Sequence, residues 1–225
     1  MTAQGIGAAV PRKEDRRFIT GRGRYVGDLV GPSVLRACFL RSSHAHADFT
    51  ITDISDAASL PGVVAVLTGA DMNADNLGSL PLQWDFENTD GSRLWKPAMF
   101  ALATDTVRFV GQPIAVVLAE TDAVARDAAE LIAVDFEEKP AAARLEDAMA
   151  PGAPAVWPER PDNTSLRWTN GEKAATDAAF ENAAHVVALD LVNHRIAPMS
   201  VEPRVSMARY DLGRDHLTLV SSCQL

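Results

Sequence analysis

VRFVGQPIAVVLAETDAVARDAAELIAVDFEE, Val107 to Glu138, decides the fold. Its first half breaks at Gly111-Gln112-Pro113 into two apolar runs of strand length, and the second, Ile114 to Ala119, contains no polar residue. A strand that is apolar throughout is one covered on both faces. Thr121 or Asp122 then stands where a helix N-cap belongs, and Val124, Ala128, Leu131 and Ile132 follow at helical spacing. AVDFEE resumes as a strand that stops before Pro140. Strand, helix and strand in close succession predict a mixed α/β layer around one compact core.

Working upstream, VVAVLT (Val63 to Thr68) reads as a further buried strand, and SDAASLPG before it as a helical turn capped by Ser55 or Asp56 and stopped by Pro61-Gly62. VLRACFLRS (Val34 to Ser42) and DFTITDI (Asp48 to Ile54) add two strands joined by a link that contains His44 and His46. From Gly69 to Phe100 periodicity fades, and Trp84, Phe86 and Trp95 are mixed with Asn, Asp, Gly and Pro. A loop that long inside a compact domain signals function or the covering of another surface. GRGRYVGDLVG near the start holds four glycines in eleven residues and reads as turns.

Working downstream, APGAPAVWPERP carries four of the chain's thirteen prolines and reads as an extended linker. GEKAATDAAFENA reads as a short helix. HVVALDLVNH, PRVSMARYD and HLTLVSS read as three strands, the last two joined by a DLGRD turn. A small antiparallel sheet with an apolar edge and nothing to cover it is marginal in water, so the chain is expected to end in the middle of a domain.

Composition narrows the function classes. Forty-seven per cent apolar residues in a chain of 225 is ordinary for a globular protein, and excludes general disorder. A net charge of −9 and a pI near 5.0 argue against nucleic acid or an anionic membrane as main partner. The one basic cluster, six Arg or Lys between Arg12 and Arg24, is interrupted by Glu14 and Asp15 and reads as an ion-paired or subunit-facing segment. Two cysteines, Cys38 and Cys223, are too few for a disulfide framework or an iron-sulfur cluster. The start lacks a signal-peptide apolar region and no stretch approaches about 18 apolar residues, so a cytoplasmic, soluble chain with no membrane span is expected.

No single motif supplies a complete active site. GRGRYVG has the wrong glycine spacing for a dinucleotide fingerprint and no strand before it. His44 and His46 would reach one ion from an extended strand, but Asp48 or Asp53 as third ligand gives no recognised zinc, iron or copper spacing. A turn with imidazoles bonded to backbone is the plainer reading. Glu202, between Arg195 and Arg204 in NHRIAPMSVEPR, reads as a partly buried ion pair that fixes a loop rather than a catalytic carboxylate. Cys223 reads as a small core residue. No residue of this chain is therefore expected to act as a catalytic group or as a protein metal ligand.

The order of phrases says more. VPRKEDRRFITGRGRYVGD, LRACFLRSSHAHADF, PGVVAVLTGAD, VRFVGQPIAVVLAET, VDFEEKPA and NHRIAPMSVEPR, in that succession, resemble the start of the large subunit of the molybdenum hydroxylases, the xanthine dehydrogenase, aldehyde oxidase and carbon monoxide dehydrogenase family. The resemblance implies an α+β chain: an N-terminal extended segment (1–19), an α/β hammerhead domain (20–148), a Pro-rich linker (149–165) and a partial, truncated molybdopterin-binding domain (166–225). It also implies that RSSHAHA is the family's structural Arg-Ser-x-x-Ala-His-Ala link, with His46 as its histidine and neither His a metal ligand.

In that family a molybdopterin-type molybdenum cofactor is held by its own dithiolene, and a glutamate far beyond Leu225 serves as general base. Oxygen comes from water, and electrons leave through iron-sulfur clusters and FAD on a small and a medium partner subunit, in a heterotrimer that dimerises. Gln224 in VSSCQL resembles the glutamine of the family's Ser-Thr-Gln phrase, which hydrogen-bonds an oxo ligand; Cys223 stands where Thr is usual. Gln224 is thus the cofactor-binding candidate, and the chain alone is expected to be inactive. Two other readings stand beside this one: a non-catalytic hammerhead scaffold that binds partner subunits, and a free-standing ligand-binding domain that uses the aromatic segment Trp84 to Trp95 within residues 1–150.

Overall fold

The computed structural model describes residues 5–194, 196–197, 199–200 and 202–223. The chain divides into two compact units, one of Leu35–Val187 and one that joins residues 1–34 to residues 188–225.

Six strands build the first unit: β1 (Arg36–Arg41), β2 (Ala47–Asp53), β3 (Val63–Thr68), β4 (Thr106–Val107), β5 (Pro113–Ala119) and β6 (Ala133–Glu138). They form two three-stranded antiparallel sheets, ordered β1-β5-β3 and β4-β2-β6. The central strand β5 is the apolar run of the sequence, with Ile114, Ala115, Val117 and Ala119 all buried. Its neighbours in the sequence, however, do not form a parallel β-α-β crossover. The helix after β5 delivers the chain to β6, which pairs with β2 in the other sheet.

Numbered along the whole chain, the helices are α1 (Asp15–Ile19), α2 (Ser55–Ser59), α3 (Gly69–Ala74), α4 (Asp122–Glu130), α5 (Leu145–Met149) and α6 (Lys173–Glu181). Helix α4 starts as its sequence predicts, with the Thr121 hydroxyl accepting from the Val124 amide at 3.2 Å. Its inner face is Ala125, Ala128 and Ala129, and these small side chains let the helix lie close on β1 and β5. One core cluster joins Ala57, Ala115, Val117, Ala128, Ala129 and Ile132; a second joins Ala47, Phe49, Ala103, Val107 and Ile114. Leu40, Ile51 and Val134 pack against both, so the two sheets share one interior. Full burial of a side chain such as Phe49 or Ile114 stabilises by about 1.5–3 kcal/mol over leaving it in water.

Local differences from the sequence reading have identifiable causes. Of the run Val107 to Val110 only Val107 lies in a strand, and the next amide, that of Arg108, donates instead to the Gln112 side chain at 2.7 Å. Gly111, at φ +90°, then donates to the Ser42 carbonyl at 2.8 Å, a turn that a residue with a Cβ adopts only under strain. Helix α2 begins after Ile54 with no side-chain cap from Ser55 or Asp56. Within the stretch where periodicity fades, α3 is closed by a capping box: the Thr68 amide and hydroxyl both donate to Asp71 Oδ2 at 2.7 Å.

The second unit contains the hairpin of β7 (Ser206–Asp211) and β8 (His216–Ser221), paired in register from Ser206↔Ser221 to Asp211↔His216. Asp211 Oδ1 accepts from the amides of Gly213 and Arg214, which shapes the DLGRD turn. At the other end of this unit α1 and a 3-10 turn at Val26–Leu29 fold the basic, glycine-rich start. HVVALDLVNH, expected as a strand, forms none; it straddles the two units, and Val187, Leu189 and Leu191 stand 76–90% exposed. Without a neighbouring strand its backbone has no ladder to join.

Candidate functional site

The geometry bearing on the cofactor candidate is the seam where the segment before β7 meets the end of β8. Ser222 is fixed from both sides of its peptide: its amide donates to the Val205 carbonyl at 2.9 Å, and its hydroxyl accepts from the Val205 amide at 2.8 Å. The same hydroxyl reaches the Pro203 carbonyl at 3.0 Å, and the Ser206 and Ser221 hydroxyls meet at 2.7 Å. This serine seam carries the chain to Cys223, which is exposed and unpaired. Gln224 itself lies outside the described residues, as does Arg195.

Glu202, immediately before the seam, behaves differently from the sequence reading. Among the described residues its partner is not Arg204 but the Val26 amide, which donates to Glu202 Oε1 at 3.0 Å across 176 positions of sequence. Val26 is buried, and it opens the 3-10 turn whose Asp28 carboxylate accepts from the Tyr25 amide at 2.9 Å. A carboxylate on an otherwise unpaired amide is a charge-assisted bond, stronger than a neutral one. The glycine-rich start is therefore bonded to the segment that leads to the serine seam.

His44 and His46 lie together on the β1–β2 link, each with its own partner about 90 residues further along the chain. His46 Nδ1 is 2.9 Å from the Pro140 carbonyl, and the His44 ring stacks on Phe136 with its Nε2 3.3 Å from Glu138. Ser42 and Arg41 of the same phrase lock onto the Gly111-Gln112 turn: Arg41 Nη1 donates to the Gly111 carbonyl, and the Ser42 amide to that of Gln112, both at 2.9 Å. Two phrases far apart in sequence, RSSHAHA and VGQP, thus make one joint. Beside it Asp48 takes hydrogen bonds from Lys139 at 2.5 Å and Thr106 at 2.8 Å, which hold its carboxyl below the usual range. Among the described residues no three His, Cys, Asp or Glu gather as a metal cage.

The aromatic segment also differs from its sequence reading. Trp84 stacks on Phe86, whereas Trp95 meets Trp157, beyond residue 150, edge to face at 5.8 Å. Residue spacing within Trp84 to Trp95 could not have revealed Trp157.

A family model for the aldehyde oxidase and xanthine dehydrogenase a/b hammerhead domain matches residues 20–140, and one for the molybdopterin cofactor-binding domain matches residues 156–225. The chain is 37% identical over 230 residues to the nicotine 6-hydroxylase large subunit of Paenarthrobacter nicotinovorans, covering 100% of this chain and 27% of the relative. It is equally 37% identical, over 234 residues, to the carbon monoxide dehydrogenase large chain of Afipia carboxidovorans, covering 98% and 27%. Among solved structures, a Cu,Mo-CO dehydrogenase superposes with a TM-score of 0.76 at 35% identity, covering 98% of this chain and 28% of that one. Quinoline 2-oxidoreductase from Pseudomonas putida 86 does so with 0.74 at 34% identity, covering 96% and 26%. The chain thus spans about a quarter of the length of the proteins it matches.

Proposed function

Because the chain belongs to the aldehyde oxidase and xanthine dehydrogenase family, we propose that it forms the first part of the molybdopterin-binding large subunit of a molybdenum hydroxylase. The observation that carries this reading is the succession, within one chain, of a hammerhead match and a molybdopterin-binding match, along with end-to-end similarity to large chains of such enzymes. The reaction we assign to the complete assembly is oxidative hydroxylation of an aldehyde, an N-heterocycle or a CO-type substrate with water as oxygen source. When bound, the molybdenum cofactor supplies a Lewis-acid centre and a two-electron acceptor.

The chemistry around the seam fits such a group. Ser221 and Ser222 are neutral, their hydroxyls are engaged by one another's neighbours, and Glu202 is engaged by Val26. With their protons given to protein acceptors, these hydroxyls brace the backbone rather than reach a ligand, and a seam without charged side chains suits a cofactor that arrives with its own sulfur ligands. In this reading Gln224 would hold the bound cofactor by a hydrogen bond from its side-chain amide, and Ser222, two residues earlier in the sequence, anchors the end of the hairpin. The proposed division is 1–19, 20–148, 149–165 and 166–225. Partner subunits that carry FAD and iron-sulfur clusters give the electrons a way out, and the assembly is cytoplasmic; no helix of the described residues is long and apolar enough to cross a membrane.

The test is to express the complete large subunit with its neighbouring subunits, then measure molybdenum, pterin and turnover of an aldehyde, an N-heterocycle and CO in 18O-labelled water. Label in the product with stoichiometric molybdenum is expected; absence of both metal and pterin sinks the reading. Gln224→Leu should keep the molybdenum content and lower kcat by about 100-fold, the usual effect of losing one preorganised donor.

A further inference from the structure

The segment from Leu77 to Phe100 has little regular structure, yet it is bonded into place. A bridge joins Glu87 to Arg93, and the Leu94 amide donates to the Phe86 carbonyl at 2.8 Å. Its outer side is stitched to the segment after the prolines. The Thr89 amide donates to the Arg167 carbonyl at 2.8 Å, the Trp95 amide to the Ser165 carbonyl at 3.1 Å, and the Ser165 hydroxyl to the Trp95 carbonyl at 2.8 Å. Asn163, in the left-handed region at φ +53°, braces the same segment: it accepts from the Val156 amide and donates to the carbonyls of Ala148 and Pro154, all within 3.0 Å.

Beside these bonds lies a half-open cavity of about 240 Å³ lined by Trp95, Val156, Trp157, Arg160, Asn163 and Ser165. The lining is mainly apolar and aromatic, with one cation. The guanidinium of Arg160 lies 5.5 Å from the Trp95 ring centroid, is half-buried, and makes no ion pair among the described residues. The Arg108 guanidinium lies over the Trp157 ring, 3.8 Å from its centroid, a cation–π contact that orders the indole. A second cavity of about 200 Å³ shares Arg160 and Ser165 but includes the Asp90 and Asp162 carboxylates, whereas the first has no acidic residue in its lining, so an anion is favoured on the Trp95–Trp157 side of Arg160.

We propose that the Trp95–Trp157 cavity is a binding site for a small aromatic carboxylate, with the ring against the two indoles and the carboxylate on Arg160. Three features lead there. Indole faces and edges favour a flat ring over an aliphatic chain. A half-buried guanidinium without a partner gains from a monoanion with two parallel oxygens. The volume falls below the roughly 300–1,000 Å³ of drug-sized sites, which admits one ring and excludes a dinucleotide or the pterin cofactor. The site belongs entirely to the Leu35–Val187 unit and stands apart from the serine seam, so the inference does not rest on the proposed hydroxylase function.

The experiment titrates the whole chain with 4-fluorobenzoate, read by tryptophan fluorescence and by 19F NMR line width. Saturable binding in the range of about 10 μM to 1 mM is expected for a ligand of this size. Benzyl alcohol, which keeps the ring and lacks the charge, and cyclohexanecarboxylate, which keeps the charge and lacks the flat ring, should each bind at least tenfold more weakly. Arg160→Gln should weaken binding tenfold or more with the circular dichroism spectrum unchanged, and Trp84→Leu should leave it unaltered. Absence of saturable binding below about 10 mM overturns the proposal. So does equal affinity for benzyl alcohol, or an Arg160→Gln chain that binds as well as the parent.

Discussion

Removing the Glu202 carboxylate leaves the buried Val26 amide without its acceptor, and a buried donor left unpaired costs about 1–3 kcal/mol. Glu202→Ala is therefore expected to speed hydrogen exchange at Val26, while the amides of β5 exchange as before. Slower or unchanged exchange at Val26 would deny that Glu202 holds this amide. Asp48 gives a pH test. Its pKa is lowered in the folded chain, first by the Lys139 hydrogen bond and then by Thr106, so its stabilising contribution is complete above the ordinary carboxylate range near pH 4 and fades as pH falls through the lowered value. The expected outcome is that Asp48→Asn flattens the acid limb of the stability profile below about pH 4 and leaves its shape at pH 6–8 unchanged. Both contacts join residues far apart in the chain. Glu202 was visible in the sequence as an unusual carboxylate among prolines and arginines, but its partner, 176 residues away, was not.

At the scale of elements, α3 is the most exposed to a single change. Gly69 is buried at its first turn, and a Cβ there would stand 2.5 Å from the Ala103 carbonyl oxygen and 2.9 Å from Thr104 Cγ2. Backbone cannot swing aside as a long side chain can. Gly69→Ala should destabilise the Leu35–Val187 unit by about 1–3 kcal/mol, seen as a lower urea midpoint, even though alanine is the better helix former. An unchanged midpoint would mean that the Ala103–Thr104 backbone yields freely. The Thr68–Asp71 box was a sequence signal that periodicity alone passes over, since α3 is too short for a hydrophobic stripe to emerge. Helix α4 and strand β5 were legible because each is long enough, and apolar enough, for its own period to stand out.

For the whole molecule, the two units differ in how well they bury their apolar residues. The Leu35–Val187 unit holds both core clusters, whereas Leu217 and Leu219 of the β7–β8 hairpin are 62% and 63% exposed. Limited proteolysis of the 225-residue chain is expected to cut between Ala184 and Asn193, where apolar residues are exposed and no strand forms, before any cut within β1 to β6. A first cut within any of β1 to β6 would contradict that ranking. The sequence by itself determined the α+β class, the buried strand β5 with its capped helix α4, the β7–β8 hairpin and the family, because these follow from local period, turn chemistry and the order of phrases. Only the tertiary structure decided that β5 and β6 lie in different sheets, that Glu202 meets Val26, and that Trp157 completes the cavity begun by Trp95. Those pairings depend on which distant segments the folded chain brings within hydrogen-bond or van der Waals reach, and residue spacing carries no record of that distance.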